Sequence, residues 1–345
     1  MRRFSVTFQA AFGAAACSFN AVCADITLAQ DFYQGRTISL IVGVDPGSAY
    51  DQYGRLLARH MARHIAGRPT IVVQNMNGAT GAMAAEYIYN IAPKNGTQFS
   101  ILYPNALVDP LTGDRSKYRY DPTRFDFLGT ADSGTRLCYT YHTSKVRTMA
   151  DARSASAIIG GTTRAGPGWE YSMLLNGLAG TKFQAVTGYK GAPDLFLAME
   201  RGEIEGMCGI DASTVRSLRP EWLGSKTANF LVQFGLEPDA ELVRLGIPSI
   251  WNFVATEDRP VVELLVTQQV FGRPYIAPPG TAPAQLAELR SAFTASHKDP
   301  ELLAEAANMK LSINPKTGEE IGALVQRMYS APMELVARMT RTIRP

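Results

Sequence analysis

Short apolar runs alternate with amphipathic segments along most of the chain. The first run, 37–42, is apolar and β-prone, and the turn-rich stretch 43–50 follows it. Asp51 stands at the expected N-cap of a helix that ends at the Gly-Arg-Pro stretch 67–69. The apolar positions of this helix recur at helical spacing and are Leu56, Leu57, Met61 and Ile65. These segments predict one strand–loop–helix unit.

The same unit then recurs along the chain. A strand at 70–74, a glycine-bearing turn at 75–81, a helix at 82–90 and a strand at 97–103 complete the first group. A second group begins near Asp126. From there to the end of the chain, the predicted strands are 156–160, 183–187, 207–210, 229–234 and 275–277. The predicted helices are 169–178, 195–201, 284–295, 300–309 and 318–343, the last with a break at Pro332. Alternation of this kind predicts mostly parallel sheets covered on both faces by helices.

The length of the chain predicts that this α/β pattern forms two lobes. A chain of 345 residues with 46% hydrophobic residues exceeds one ordinary domain and supplies two cores of usual size. Charged residues make up only 19%, and 34 Lys and Arg against 31 Asp and Glu leave a net charge of +3. No large field of one sign is present to attract a nucleic acid, so such a partner is excluded.

The first 24 residues have the pattern of a secretory signal peptide. Arg2 and Arg3 precede the uncharged stretch 4–22, and small residues at Val22 and Ala24 define a cleavage site after Ala24. A membrane anchor needs about 18 to 20 strongly apolar residues, whereas polar residues interrupt this stretch. An acylated Cys17 or Cys23 remains an alternative, although the Leu usual three residues before such a cysteine is missing. We expect export and cleavage.

Cleavage leaves two cysteines, Cys138 and Cys208. Both lie in strand-like stretches, and in an oxidising compartment they form one disulfide if their Cα atoms are about 4.4 to 6.8 Å apart. The alternative is that both are small buried apolar residues.

Motifs for catalysis or metal binding are incomplete. The loop at 43–47 lacks the Lys-Ser/Thr of a phosphate loop, the stretch 78–81 does not complete a dinucleotide motif, and no Gly-x-Ser-x-Gly occurs. His60 and His64 are one helical turn apart, but Met61 stands where a zinc protease has Glu. A solvated basic helix face is the favoured interpretation of these histidines. We expect no metal, no cofactor and no enzymatic activity.

Four glycine-bearing loops join a strand to a following helix: 43–51, 75–81, 160–168 and 188–194. Ligands of open α/β sheets bind at that edge, where backbone N–H groups and helix N-termini favour an anion. Arg164 is a candidate for bidentate binding of a carboxylate, with a surface arginine as the alternative. Asp45 repels an anionic ligand unless it points to solvent or pairs with a cation.

Several of these stretches resemble motifs of one family. Ile38-Ser-Leu-Ile-Val-Gly-Val-Asp-Pro-Gly-Ser-Ala-Tyr-Asp51 resembles a strand followed by Pro-Gly-Gly-x-x-Asp, and Val72-Val-Gln-Asn-Met-Asn-Gly-Ala-Thr-Gly81 resembles Val-Val-x-Asn-x-x-Gly-Ala-x-Gly. Ala92-Pro-Lys-Asn-Gly-Thr97, Gly188-Tyr-Lys-Gly-Ala-Pro193, the stretch 199–208 and Ile276-Ala-Pro-Pro-Gly-Thr281 are similar to further motifs. The family is the extracytoplasmic solute-binding proteins of tripartite tricarboxylate transporters, the Bug-type receptors, and the resemblance covers nearly the whole mature chain.

The resemblance implies a type II periplasmic-binding fold, with two α/β lobes, two crossovers and a ligand cleft between them. Residues 25–127 plus 271–345 form the first lobe and 128–270 the second. The implied ligand contacts are Gly47, Ser48, Ala49, Gly78, Ala79, Thr80, Thr162, Thr163, Arg164, Ala165, Tyr189 and Asp211.

The implied function is that of a monomeric periplasmic receptor. It captures a small carboxylate and delivers it to the membrane permease subunits of a tripartite transporter. Two alternatives remain open: a ligand-sensing module for a membrane sensor kinase, and a periplasmic enzyme acting on a carboxylate.

Overall fold

Two mixed β-sheets, each flanked by helices, form the part of the chain that a computed structural model describes, residues 32–164 and 166–345. The predicted signal peptide and its cleavage site lie outside these residues. None of the helices described is long and apolar enough to cross a membrane.

The first sheet has six strands in the order β11-β4-β10-β3-β1-β2. Strand β1 pairs in parallel with β2 and β3, whereas β10 is antiparallel to both of its neighbours, β3 and β4. The strands are β1 (Thr37–Val42), β2 (Thr70–Asn75), β3 (Gln98–Ile101), β4 (Asp126–Thr130), β10 (Pro274–Ala277) and β11 (Lys316–Thr317).

The second sheet has five strands in the order β7-β6-β8-β5-β9. Here β5 is the antiparallel strand, between β8 and β9, and β6 pairs in parallel with β7 and β8. The strands are β5 (Arg136–Tyr141), β6 (Ser156–Gly161), β7 (Lys182–Thr187), β8 (Gly206–Asp211) and β9 (Ala228–Phe234).

The two sheets share one topology. In each, the strand that follows a crossover from the other lobe is inserted antiparallel into the sheet: β10 lies between β3 and β4, and β5 lies between β8 and β9. The predicted type II periplasmic-binding fold, with two α/β lobes, is confirmed.

Thirteen α-helices cover these sheets in the described residues. They are α1 (Ala49–Met61), α2 (Ala82–Asn90), α3 (Asn105–Thr112), α4 (Met149–Ser154), α5 (Pro167–Ala179), α6 (Ala192–Glu200), α7 (Ala212–Leu218), α8 (Ala240–Arg244), α9 (Arg259–Val270), α10 (Pro283–Ser296), α11 (Pro300–Asn308), α12 (Gly318–Tyr329) and α13 (Met333–Ile343). The helix expected at 318–343 is thus two helices, and the break falls beside Pro332, which has no N–H for helix bonding.

The chain passes between the lobes at two adjacent places. It leaves the first sheet after Thr130 and enters the second at Arg136, a few residues past the predicted boundary of 127, and it returns at 271–273. The two passages are bonded together: Ala131 N donates to Arg273 O at 3.2 Å, and Arg273 N donates to the Thr130 hydroxyl oxygen at 3.0 Å. They form a double hinge at one side of the cleft.

The last helix crosses back to the second lobe. The sequence assigns α13 to the first lobe, whereas the structure packs it against α5 and α9. The approach is close, because a Cβ on Gly177 would lie 3.2 Å from Thr342 Cγ2. The Arg344 guanidinium extends this contact to Glu170, at 3.3 Å.

One local expectation about α1 is wrong, and another holds only in part. Its N-cap is Ser48, whose hydroxyl accepts from Asp51 N at 3.4 Å, so Asp51 lies inside the first turn. The histidine face is solvated only in part: Arg59 and Arg63 are exposed and His64 is half-buried. His60 is buried, with Nε2 at 2.6 Å from a carboxylate oxygen of Glu305, and His64 Nε2 lies 2.9 Å from Asp299. These acidic residues come from α11 and its cap, more than 230 positions away, so no local pattern reveals them.

Cys138 and Cys208 face each other across β5 and β8, and their sulfur atoms are bonded. Their Cα atoms are 3.9 Å apart, closer than the range expected above. Both residues are buried. The bond joins strands of one lobe and leaves the hinge free.

Candidate functional site

Two adjoining cavities occupy the cleft between the lobes. The larger, about 390 Å³, is named here the Glu170 cavity, and the smaller, about 290 Å³, the Arg273 cavity, each after a residue in its wall. The two form one continuous cleft because they share part of their walls. The shared wall residues are Tyr50, Tyr103, Arg136, Thr162 and Pro167.

The first lobe contributes an aromatic wall. Tyr50 is the second residue of α1, just after β1, and Tyr103 follows β3. Since β1 and β3 are parallel neighbours, both rings lie at the carboxyl edge of the sheet, with their centroids 4.8 Å apart. This is the edge at which ligands of open α/β sheets bind.

Arg273 brings a positive charge into the cleft from the returning hinge segment. Its Nη1 donates to Gly272 O at 2.8 Å and to the Tyr50 hydroxyl at 3.1 Å. Its Nε is buried, and neither a hydrogen-bond acceptor for Nε nor a carboxylate within ion-pair distance occurs among the described residues. An arginine stays charged in proteins, so this is a cation at the wall of a cavity with no carboxylate in direct contact among the described residues.

Arg136, by contrast, has its charge compensated. It begins β5 directly opposite Asp211, the last residue of β8, and Arg136 Nε donates to Asp211 Oδ1 at 3.2 Å. Its guanidinium also lies 5.4 Å from the centroid of the Tyr171 ring. The pair orients Arg136 along the second-lobe wall and leaves Arg273 as the unmatched cation.

Two carboxylates line the Glu170 cavity. Glu170, in the first turn of α5, is almost buried and pairs with Arg344. Asp109, in α3, accepts a hydrogen bond from Asn105 Nδ2 at 3.3 Å. Burial raises the pKa of both carboxyls above their ordinary values, and the nearby Arg344 charge opposes that rise.

The predicted site residues divide into two groups. Thr162, Thr163 and Asp211 line the cavities. Arg164 is exposed, with its guanidinium 5.0 Å from the centroid of the Trp169 ring, and lies outside both cavity walls. The other described candidates, over 32–164 and 166–345, also line neither cavity: Gly47, Ser48, Ala49, Gly78, Ala79 and Tyr189. Ala165 and the side chain of Thr80 lie outside the described part of the structure.

The first-lobe loops have other partners in this conformation. Gly47 N donates to Asp51 Oδ2 at 2.8 Å, which uses that amide in the turn before α1. Asp45 accepts a hydrogen bond from Asn77 and so links loop 43–51 to loop 75–81. The carboxylate of Asp45 is therefore at an exposed loop contact and is not a wall of the cleft.

Sequence reasoning missed Tyr50, Tyr103, Arg136, Glu170 and Arg273. One signal was available for Tyr50, which stands in a candidate loop. No group of three or more His, Cys, Asp or Glu side chains arranged for a metal ion occurs in the described chain.

Solved structures with the same fold exist. A TctC solute-binding protein from Polaromonas matches with a TM-score of 0.69 at 17% identity, over 89% of this chain and 99% of that one. The chain has the fold of these solute-binding proteins. MatC from Rhodopseudomonas palustris with bound malate has a TM-score of 0.59 at 17% identity, over 90% and 99% of the two chains. A further R. palustris protein, with adipate, has 0.60 at 19% identity, over 89% and 97%.

The likeness is one of structure at low sequence identity. No protein-family model matches the chain, and no curated protein matches its sequence.

Proposed function

We propose that this protein is a periplasmic solute-binding receptor. It captures a small organic acid between its lobes, without covalent chemistry, and delivers it to the membrane permease subunits of a tripartite tricarboxylate transporter. The observation that carries the proposal is Arg273, a cation in the cleft wall with no carboxylate partner among the described residues. Similarity to solute-binding proteins with malate and adipate supports the same ligand class.

The first lobe holds the ligand before closure. A carboxylate accepts hydrogen bonds from the Arg273 guanidinium, whose Nη1 is already fixed by Gly272 O and the Tyr50 hydroxyl. A hydrogen bond to a charged group contributes roughly 1.5 to 3 kcal/mol. The rings of Tyr50 and Tyr103 cover the apolar part of the ligand.

The second lobe completes the site on closure. The hydroxyls of Thr162 and Thr163 follow β6 and line the opposite wall. Tyr189, another loop candidate, joins the site only in a more closed state, whereas Arg164 stays over Trp169 outside the cleft. The ligand stabilises that state only if it binds it more tightly than the open one.

The location and assembly follow from the same proposal. The signal peptide directs export and is removed after Ala24, and the mature receptor acts as a monomer in the periplasm. The double hinge at 131–135 and 271–273 carries the closing motion.

A thermal-shift screen of the mature protein tests the proposal. The ligands are monocarboxylates, di- and tricarboxylates, amino acids and neutral sugars. A ligand at about 100 times its Kd adds about 2.7 kcal/mol to stability, a shift of roughly 4 °C for a chain of this size. We expect a shift with acids that is lost in Arg273→Met. A response to sugars alone, or turnover of a bound acid, contradicts the proposed receptor.

A further inference from the structure

The charges along the cleft are balanced. Among the described residues, the walls of the two cavities together hold three guanidinium groups and three carboxylates. They are Arg136, Arg273, Arg344, Asp109, Glu170 and Asp211. A cleft built for a dianion would carry an excess of positive charge, which this one lacks.

Pairing within the cleft leaves one charge of each sign. Arg136 is bonded to Asp211 and Arg344 to Glu170. Arg273 has no carboxylate partner, and Asp109 has no cation within ion-pair distance in the described ranges. The two unmatched groups lie in different cavities, Arg273 in one and Asp109 in the other.

Aromatic residues line the same cavity as the negative group. The Glu170 cavity is lined by Tyr50, Tyr103 and Tyr118 as well as by Asp109. A ring face within about 6 Å attracts an ammonium ion, so the rings and the carboxylate favour the same kind of group. A second ligand carboxylate placed beside Asp109 would instead be repelled.

We propose that the captured acid also carries an ammonium group, and that the ligand is an ω-amino acid whose carboxylate binds Arg273 and whose ammonium binds Asp109. This inference rests on the proposed receptor function and narrows its substrate class. Such a zwitterion has no net charge, which matches a cleft whose own charges are balanced. It also supplies each unmatched side chain with its partner.

Isothermal titration calorimetry of the wild-type mature protein with matched probes tests the inference. The pairs are 4-aminobutanoate with butanedioate, 6-aminohexanoate with hexanedioate, and 8-aminooctanoate with octanedioate. N-acetyl-6-aminohexanoate keeps the length and removes the positive charge. We expect at least one amino acid to bind more than about tenfold tighter than its matched diacid, a difference of about 1.4 kcal/mol. Acetylation should abolish that advantage.

Variants assign the preference to Asp109. Asp109→Asn should weaken binding of the amino acid by about tenfold or more and strengthen binding of the diacid. Arg273→Met should weaken binding of both. Asp114→Asn is the control, because Asp114 is exposed near the end of the same helix and lines neither cavity in the described structure. The probe series needs no variant, so it decides the question even if Asp109→Asn does not fold.

The outcomes separate the two proposals. Tighter binding of the diacids, or equal binding of the acetylated probe, overturns the amino-acid inference and leaves the receptor function intact. Silence with every acid overturns both. An amino-acid preference that persists in Asp109→Asn contradicts the assignment of the ammonium site.

Discussion

The guanidinium of Arg273 lies over the ring of Tyr50, 4.4 Å from the ring centroid, and donates to its hydroxyl at 3.1 Å. Tyr50 lies in the first turn of α1, and Arg273 lies 223 positions later in the returning hinge segment. The contact holds the cation in one orientation before any ligand arrives. Preorganisation of this kind improves affinity because little side-chain freedom is lost on binding.

Replacing Arg273 should therefore weaken ligand binding while the protein still folds. Arg273→Met keeps a long apolar stem over the Tyr50 ring and removes the charge. We expect an acid ligand to bind roughly 10- to 100-fold more weakly, measured by calorimetry. The matched control is Arg164→Met, since Arg164 is exposed over Trp169 and should change affinity by less than about twofold. A larger loss in the control than in Arg273→Met would assign the anchor to Arg164.

Ser48 and Thr163 should respond differently to the same substitution. Ser48→Val removes the N-cap of α1 and should lower the free energy of unfolding by about 1 kcal/mol. Thr163→Val keeps its shape at an exposed position in the Glu170 cavity wall and should weaken ligand binding with little change in stability. Chemical denaturation and calorimetry of both variants test this. Unchanged affinity in Thr163→Val would remove that hydroxyl from the site.

The cysteine pair should be detectable in the mature protein. Reduction should raise the intact mass by about 2 Da, and the bond closes a segment of 70 residues. Closure of a loop of that length contributes about 2 to 4 kcal/mol. The double variant Cys138→Ala/Cys208→Ala should therefore be less stable by a similar amount and insensitive to reductant. An unchanged mass would mean two free thiols.

Asp132 at the hinge should make stability depend on pH. Burial, partly opposed by the Arg273 charge, raises the pKa of Asp132 to about 6, against about 3.9 in an unfolded chain. The folded state thus favours the protonated carboxyl, so its stabilising contribution is present below pH 4 and is lost as the pH rises through 6. The difference is about 3 kcal/mol. Asp132→Asn should gain about that much relative to the parent between pH 4 and pH 7.

The variant must be compared with the parent at each pH because His297 changes the pH dependence of stability in the opposite direction to Asp132. Burial lowers the pKa of His297 to about 4, so its contribution is present above pH 6.5 and is lost as the pH falls towards 4. The two effects oppose each other in the parent profile. Denaturant titrations of Asp132→Asn and the parent at each pH isolate the Asp132 part, and a constant difference would contradict its raised pKa.

The sequence predicted most of the sheet and missed several helices, for physical reasons. Strand β1 has the predicted bounds because an apolar, β-branched run is itself the signal. Helix α9 was not predicted. Its buried residues cover most of its circumference, so no single apolar stripe shows in the sequence.

The cleft was less predictable than the fold. The loops at the carboxyl edge of the sheets indicated where a ligand would bind, and Thr162, Thr163 and Asp211 do line the cleft. The charges that distinguish this cleft come from hinge and helix positions without a motif. Arg273 and Asp109 are singled out only by which partners the folded chain leaves them.

The strand β10 at the centre of the first sheet has a consequence for how the molecule is assembled. All strands of the second sheet lie within 136–234, whereas the first sheet needs β10, which is made later and inserts between β3 and β4. A chain emerging from its N-terminus therefore completes its second sheet first. Until residue 277 arrives, β3 and β4 each present an open edge whose N–H and C=O groups are unpaired. A chain truncated before Pro274 would keep one finished sheet and one divided sheet, and the divided sheet is a substrate for proteases and for chaperones that bind exposed strands.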